Sequence, residues 1–176
     1  MRMSPGVSGR AKPQGMQAYR RWLSRTWDPD LPVALVIGIN PNKATEAEDD
    51  GMTGFLVRLL RAQRGAFQCG SYILVNCFDY RDRHPKALLS ISNPSSPNNT
   101  STIKRVLKEC DFVVVSWGNT DYGKLFQVRR EELAKLVRNS GKPAICFSPR
   151  GAPVYCSQTN ANAGDGRWSS TPVLWR

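Results

Sequence analysis

Apolar residues gather into four short, nearly unbroken runs. They are LPVALVIGI (32–39 with its lead-in), SYILVNCF (71–78), DFVVVSW (111–117) and PAICFS (143–148). Each is rich in Val, Ile or Phe and barely alternates. Such runs suit strands covered on both faces, as in a parallel sheet. Between them, apolar positions recur at helical spacing. TGFLVRLLRAQRG places Phe55, Leu56, Leu59 and Leu60 on one face, with Thr53 available as a cap. NTSTIKRVLKEC does the same with Ile103, Val106, Leu107 and Cys110. YGKLFQVRREELAKLVRNSG offers Leu125, Val128, Leu133, Leu136 and Val137, and closes at Asn139 and Gly141.

The predicted order is therefore β-α-β-α-β-α-β. Right-handed crossovers would fold it into a three-layer α/β/α domain around a small four-stranded parallel sheet. That domain is expected over residues 28–156. Residues 1–27 hold six basic side chains and no acid, and read as a flexible basic arm leading into a short helix at MQAYRRWLSRTW. SISNPSSPNNT (90–100) reads as a turn-rich loop. The last stretch, 157–176, is polar but ends in Val173, Leu174 and Trp175, so it either docks on the domain or stays loose.

Composition narrows the classes. The 176 residues suit one domain, and 40% hydrophobic content supplies a core without disulfides. Lys and Arg total 25 against 14 Asp and Glu, a net charge of +11 that suits a polyanionic partner, nucleic acid first. The plainer explanation of the charge is solubility. No apolar run approaches the roughly 20 residues of a membrane span. The odd set Cys69, Cys77, Cys110, Cys146 and Cys156 has no C-x-x-C spacing. It fits buried free thiols in a reducing cytoplasm and neither a disulfide framework nor a zinc site. With His84 as the only histidine, a His-built metal site is nearly excluded, and no cofactor is expected.

Ligands of open parallel sheets gather at the carboxyl ends of the strands. Those ends deliver Ile39, Asn40, Pro41, Asn42 and Lys43; then Asn76, Phe78, Asp79 and Arg81; then Trp117 and Gly118; then Ser148, Arg150, Gly151 and Ala152. Amides pair with the edge of a nucleobase, aromatic rings stack on its face, and cations hold phosphate.

At these residues the chain resembles the uracil-DNA glycosylase superfamily. GINPNKA looks like the first motif of the mismatch-specific branch, ILVNCF like the second strand, VVVSWG like a strand ending in Trp-Gly, and CFSPRGAPVY fills the place of the loop that enters the duplex. It is more similar still to bacterial and phage proteins of unassigned function reading YRYWLWRRW, LVIGLNPSTA, DDPT, NLF, WG and G.PRHPLY. The counterparts here are YRRWLSRTW, LVIGINPNKA, DDGMT, NCF, WG and GAPVY. Two features depart from the superfamily. SPRGAPVY lacks its histidine, and the stretch after GINP differs from the mismatch-specific branch.

The resemblance implies a monomeric, monofunctional DNA glycosylase that flips out and hydrolyses off a modified base. A hypermodified phage base such as glucosylated hydroxymethylcytosine, removed in antiviral defence, fits the phage connection. It implies catalysis by Asn40, which orients a water, with Asp50 favoured over Asp49 and Asp79 as the assisting acid. Ile39, Pro41, Asn76, Phe78 and Gly118 would contact the base, and Lys43, Arg81, Ser148 and Arg150 the DNA. Each has a plainer reading: helix capping for Asp49 and Asp50, a satisfied buried amide for Asn76, a core ring for Phe78 and Trp117, solvated charge for the cations. The rival functions are a non-catalytic module that binds modified DNA and a hydrolase acting on nucleotides or nucleosides.

Overall fold

A computed structural model describes all residues, 1–176. The expected parallel strands form as β3 (Val33–Gly38), β4 (Ser71–Asn76), β5 (Phe112–Val115) and β6 (Ala144–Cys146). They lie side by side in the order β4-β3-β5-β6, all parallel. The sheet is nevertheless larger than four strands. β1 (Ser8–Lys12) and β2 (Trp22–Thr26) extend it antiparallel beyond β4, and β7 (Val173–Leu174) pairs antiparallel with β6. The architecture is a seven-stranded mixed α/β sheet.

Residues 8–12 and 22–26 are thus strands, where an arm and a short helix were expected. WLSRT alternates buried and half-buried positions, the signature of a strand, but one buried position is Arg25. A cation at a core position hides the period-2 pattern from a hydropathy reading. Arg25 is fully buried, and each of its guanidinium nitrogens has a partner. Its Nε meets Asp49 Oδ1 at 2.9 Å, and its two amino groups reach the carbonyls of Ser24, Thr45 and Glu48.

Helices pack on both faces. Leu35 and Ile37 of β3 join one core cluster with α2 (Asn99–Glu109) and α3 (Lys124–Asn139). The alternate residues Ala34 and Val36 join the other with α1 (Gly51–Arg61). The expected stripes of α1 and α2 are the buried ones. On α3 the buried stripe is Phe126, Leu133, Ala134 and Val137, while Leu125 and Val128 face solvent. The last stretch of the chain includes a short helix, α4 (Gln158–Ala161), before β7. There Trp175 donates its backbone N–H to the Ala144 carbonyl at 2.8 Å and meets Trp117 edge-to-face at 5.6 Å. No helix is long and apolar enough to cross a membrane.

All five cysteines are free and buried. Burial pushes the Cys69, Cys77 and Cys156 thiols up to about 12, from an ordinary 9.0. Above pH 9.0 the unfolded chain sheds these protons while the folded chain keeps them, so stability is full below that pH and falls as pH rises towards 12. Urea denaturation at stepped pH should show this alkaline loss. Asp49→Ala should cost about 3–5 kcal/mol, because it strands a buried guanidinium; the midpoint of the urea curve measures it.

Candidate functional site

Asn40 follows the last residues of β3. Its side-chain amide is held from one side only. Nδ2 donates to the Asp82 carbonyl at 2.7 Å and the Pro41 carbonyl at 3.2 Å. Both neighbours are carbonyl oxygens, which only accept, so the atom facing them has to be the nitrogen. Oδ1 accepts nothing from the protein and is not sealed away. Asn40 is only 6% exposed, yet it lines a cavity of about 310 Å³. That volume lies at the lower end of the range for small-molecule sites.

The loop after Asn40 is gripped by arginines. Arg20 and Arg81 each donate an Nη1 to the Ala44 carbonyl, at 3.1 and 3.0 Å. Arg81 also donates to the carbonyls of Asn42 and Gly15. Two guanidinium groups on one carbonyl oxygen repel each other. Arg20 is lowered to about 10, first by burial and next by Arg81. The adjacent Asp82 N–H closes the grip on the Pro41 carbonyl at 3.0 Å.

The rest of the cavity comes from distant segments. Trp117 and Gly118 follow β5, Tyr122 precedes α3, Arg130 lies within α3, and Tyr155 and Asn160 come from the chain after β6. Gly118 sits at φ +70°, a left-handed turn that a side chain at this position would strain. Arg130 props the turn by donating to the carbonyls of Thr120 at 2.9 Å and Trp117 at 3.4 Å. Asn160 Nδ2 holds the Tyr155 carbonyl at 2.7 Å. Burial holds the Tyr155 hydroxyl as a neutral phenol, well above its ordinary range. The assembled wall offers three aromatic rings, several amides, Arg83 and Arg130, and one acid, Asp82.

Among the residues singled out in the sequence, Ile39, Asn40, Asn42, Trp117 and Gly118 line this cavity together. Others stand elsewhere. Asp50 is the N-cap of α1, in a capping box with Thr53. Its Oδ1 accepts the N–H groups of Met52 and Thr53 at 3.1 and 2.9 Å, and Oδ2 accepts that of Ala44 at 3.3 Å. Asp49 pairs with Arg25, and Asp79 accepts the Ser96 N–H and hydroxyl. Asn76 is buried against Gly38, where an added Cβ would lie 2.7 Å from its Oδ1, and it does not line the cavity. Phe78 is a core ring packed on Phe126 at 4.8 Å. Pro41 is buried and contributes its carbonyl to the grip. Arg81, expected on DNA, is occupied by loop carbonyls. Ser148 is buried in a turn, where its hydroxyl accepts the Arg150 N–H. Lys43 and Arg150 are exposed. The sequence reading missed Asp82, Tyr122, Arg130, Tyr155 and Asn160. The one available signal was the Arg129-Arg130 pair breaking the apolar stripe of α3.

The fold and this cavity define an α/β protein with a polar, aromatic-lined site at the carboxyl ends of its parallel strands. Residues 20–155 match the model of a family described as a protein of unknown function (DUF1643), and the chain belongs to that family. No curated protein and no solved structure matches it. No group of three or more His, Cys, Asp or Glu side chains could hold a metal ion.

Arg81→Met strands the carbonyls of Asn42 and Gly15 and leaves that of Ala44 to Arg20 alone. Each unpaired buried group costs about 1–3 kcal/mol, so the variant should melt several degrees below wild type in a calorimetric scan.

Proposed function

We propose that the chain is a monomeric, cytoplasmic DNA glycosylase of the uracil-DNA glycosylase kind, built on a three-layer α/β/α domain. One observation carries the reading: the Asn40 amide, pinned through its nitrogen by two carbonyls, keeps an unpartnered oxygen at a residue that lines a cavity of nucleobase scale. An amide oxygen is too weak a base to take a proton in the ground state. It does orient a water, and orientation alone removes much of the barrier once the sugar has become electrophilic. Breaking the bond between C1′ and the base nitrogen leaves positive charge on the sugar and negative charge on the base.

The rings of Trp117, Tyr122 and Tyr155 suit the faces of a flipped base, and Asn42 and Asn160 suit its edge. Arg83 at the cavity, with exposed Lys43 and Arg150, supplies cations for the flanking phosphates. The net charge of +11 supports a polyanionic partner. We further propose a modified base as the substrate, with glucosylated hydroxymethylcytosine of phage DNA among the candidates.

The protein is incubated with duplexes containing uracil, a mismatched thymine or glucosylated hydroxymethylcytosine. Alkali then cuts abasic sites, and mass spectrometry identifies the released base. At least one duplex should be cut. Asn40→Ala should lower the rate by about 10²- to 10³-fold, the scale of a lost transition-state contact, and leave DNA affinity within a few-fold. Release from free nucleosides but from no DNA would make the protein a nucleoside hydrolase. DNA affinity should fall steeply between 50 and 200 mM salt, as expected for several phosphate contacts.

A further inference from the structure

The excision chemistry leaves one need unmet: an anion to face the positive charge that develops on the sugar. The acids that follow Asn40, from Glu46 to Asp50, do not line the cavity: Glu46 accepts the Gly15 N–H, Asp49 pairs with Arg25 and Asp50 caps α1. Asp79 is held by Ser96. Asp82 differs from all of these. It is the sole acid lining the cavity, which also contains Arg83 and Arg130. Without it, the walls would carry two cations and would repel a cationic sugar.

The backbone of Asp82 is locked to Asn40. Its carbonyl accepts Asn40 Nδ2 at 2.7 Å, and its N–H donates to the Pro41 carbonyl at 3.0 Å. The carboxylate is anchored through one oxygen, with Oδ1 accepting the His84 N–H at 2.7 Å. Oδ2 has no partner in the protein and is not sealed away. Asp82 thus keeps one free carboxylate oxygen and Asn40 a free amide oxygen, the two residues are joined through the Asp82 backbone, and both line one cavity.

We infer that Asp82 is the second catalytic residue of this site, stabilising charge at C1′ and accepting the proton of the attacking water. The inference rests on the glycosylase reading above. In the step, the bond from C1′ to the base nitrogen breaks and its electron pair leaves with the base. The water that Asn40 orients bonds through its oxygen to C1′ and gives one proton to Asp82 Oδ2. Solvent protonates the base nitrogen, and Asp82 returns its proton to solvent. The sum is one water consumed, one free base and one abasic sugar, with no cofactor.

The test uses two duplexes, one carrying a cationic pyrrolidine abasic nucleotide and the other its neutral tetrahydrofuran counterpart. Neither depends on which base the protein excises. Wild type should bind the cationic duplex at least about tenfold tighter, as expected for a mimic of the transition-state charge. Asp82→Asn keeps an acceptor for the His84 N–H. It should lose the preference, hold its affinity for the neutral duplex, and release base about 10²- to 10⁴-fold more slowly. Asp50→Asn, which still caps α1, should keep the preference. If Asp82→Asn fails to fold, Asp82→Ser serves in its place, because serine also closes such a turn. Equal wild-type affinity for the two duplexes, or a preference that survives in the Asp82 variant, overturns the inference. So does base release at the wild-type rate by that variant, which leaves the glycosylase reading standing. No base released by wild type from any duplex overturns both.

Discussion

The carbonyl oxygen of Ala44 accepts from two guanidinium groups, and that contact holds the loop that follows Asn40. A loop leaving a parallel strand has no ladder to hold it. Here the donors come from outside, with Arg20 just ahead of β2 and Arg81 beyond β4. Burial, and next the neighbouring Arg81, lower the proton affinity of Arg20. The guanidinium donors are matched by backbone carbonyls, those of Asn42, Ala44 and Gly15. The chain beside Asn40 is thereby held in place, and Asp82 completes the grip from the neighbouring residue.

The same logic explains why the strands added at one edge matter for a site at the sheet's tip. β2 carries Arg25 into the interior, where it gathers Asp49 and the carbonyls of Thr45 and Glu48. The stretch from Thr45 to Asp50 therefore leans on β2 from below, while Asp50 ties it to the start of α1. Three arginines, Arg20, Arg25 and Arg81, do for this loop what apolar packing does elsewhere in the fold. Part of the large positive charge is thus internal scaffolding, and the share left for a polyanion is smaller than the composition suggests.

The four central strands were legible because burial on both faces leaves continuous apolar runs. β2 was not, because an arginine at a buried strand position looks like a helix surface, and β1 was not, because it buries Ala11 alone. Asn40 and Gly118 could be read from their places at strand ends. Side-chain direction at the end of β4 could not: Phe78 turns into the core and Asn76 packs on Gly38. Asp50 shows a different limit, since an acid ahead of a helix serves capping and chemistry with the same sequence signature. Arg130, Tyr155 and Asn160 reach the cavity from α3 and from the chain beyond β6, so only tertiary structure reveals them.

The cavity draws its walls from segments near residues 40, 82, 118, 130 and 160, none of them neighbours along the chain. Closing such distant loops is entropically slow. A nascent chain emerging from the ribosome can therefore pair β3 with β4 while still lacking most of the chamber. The wall is complete only when the segment around Tyr155 and Asn160 arrives, so the full pocket is a property of the finished fold.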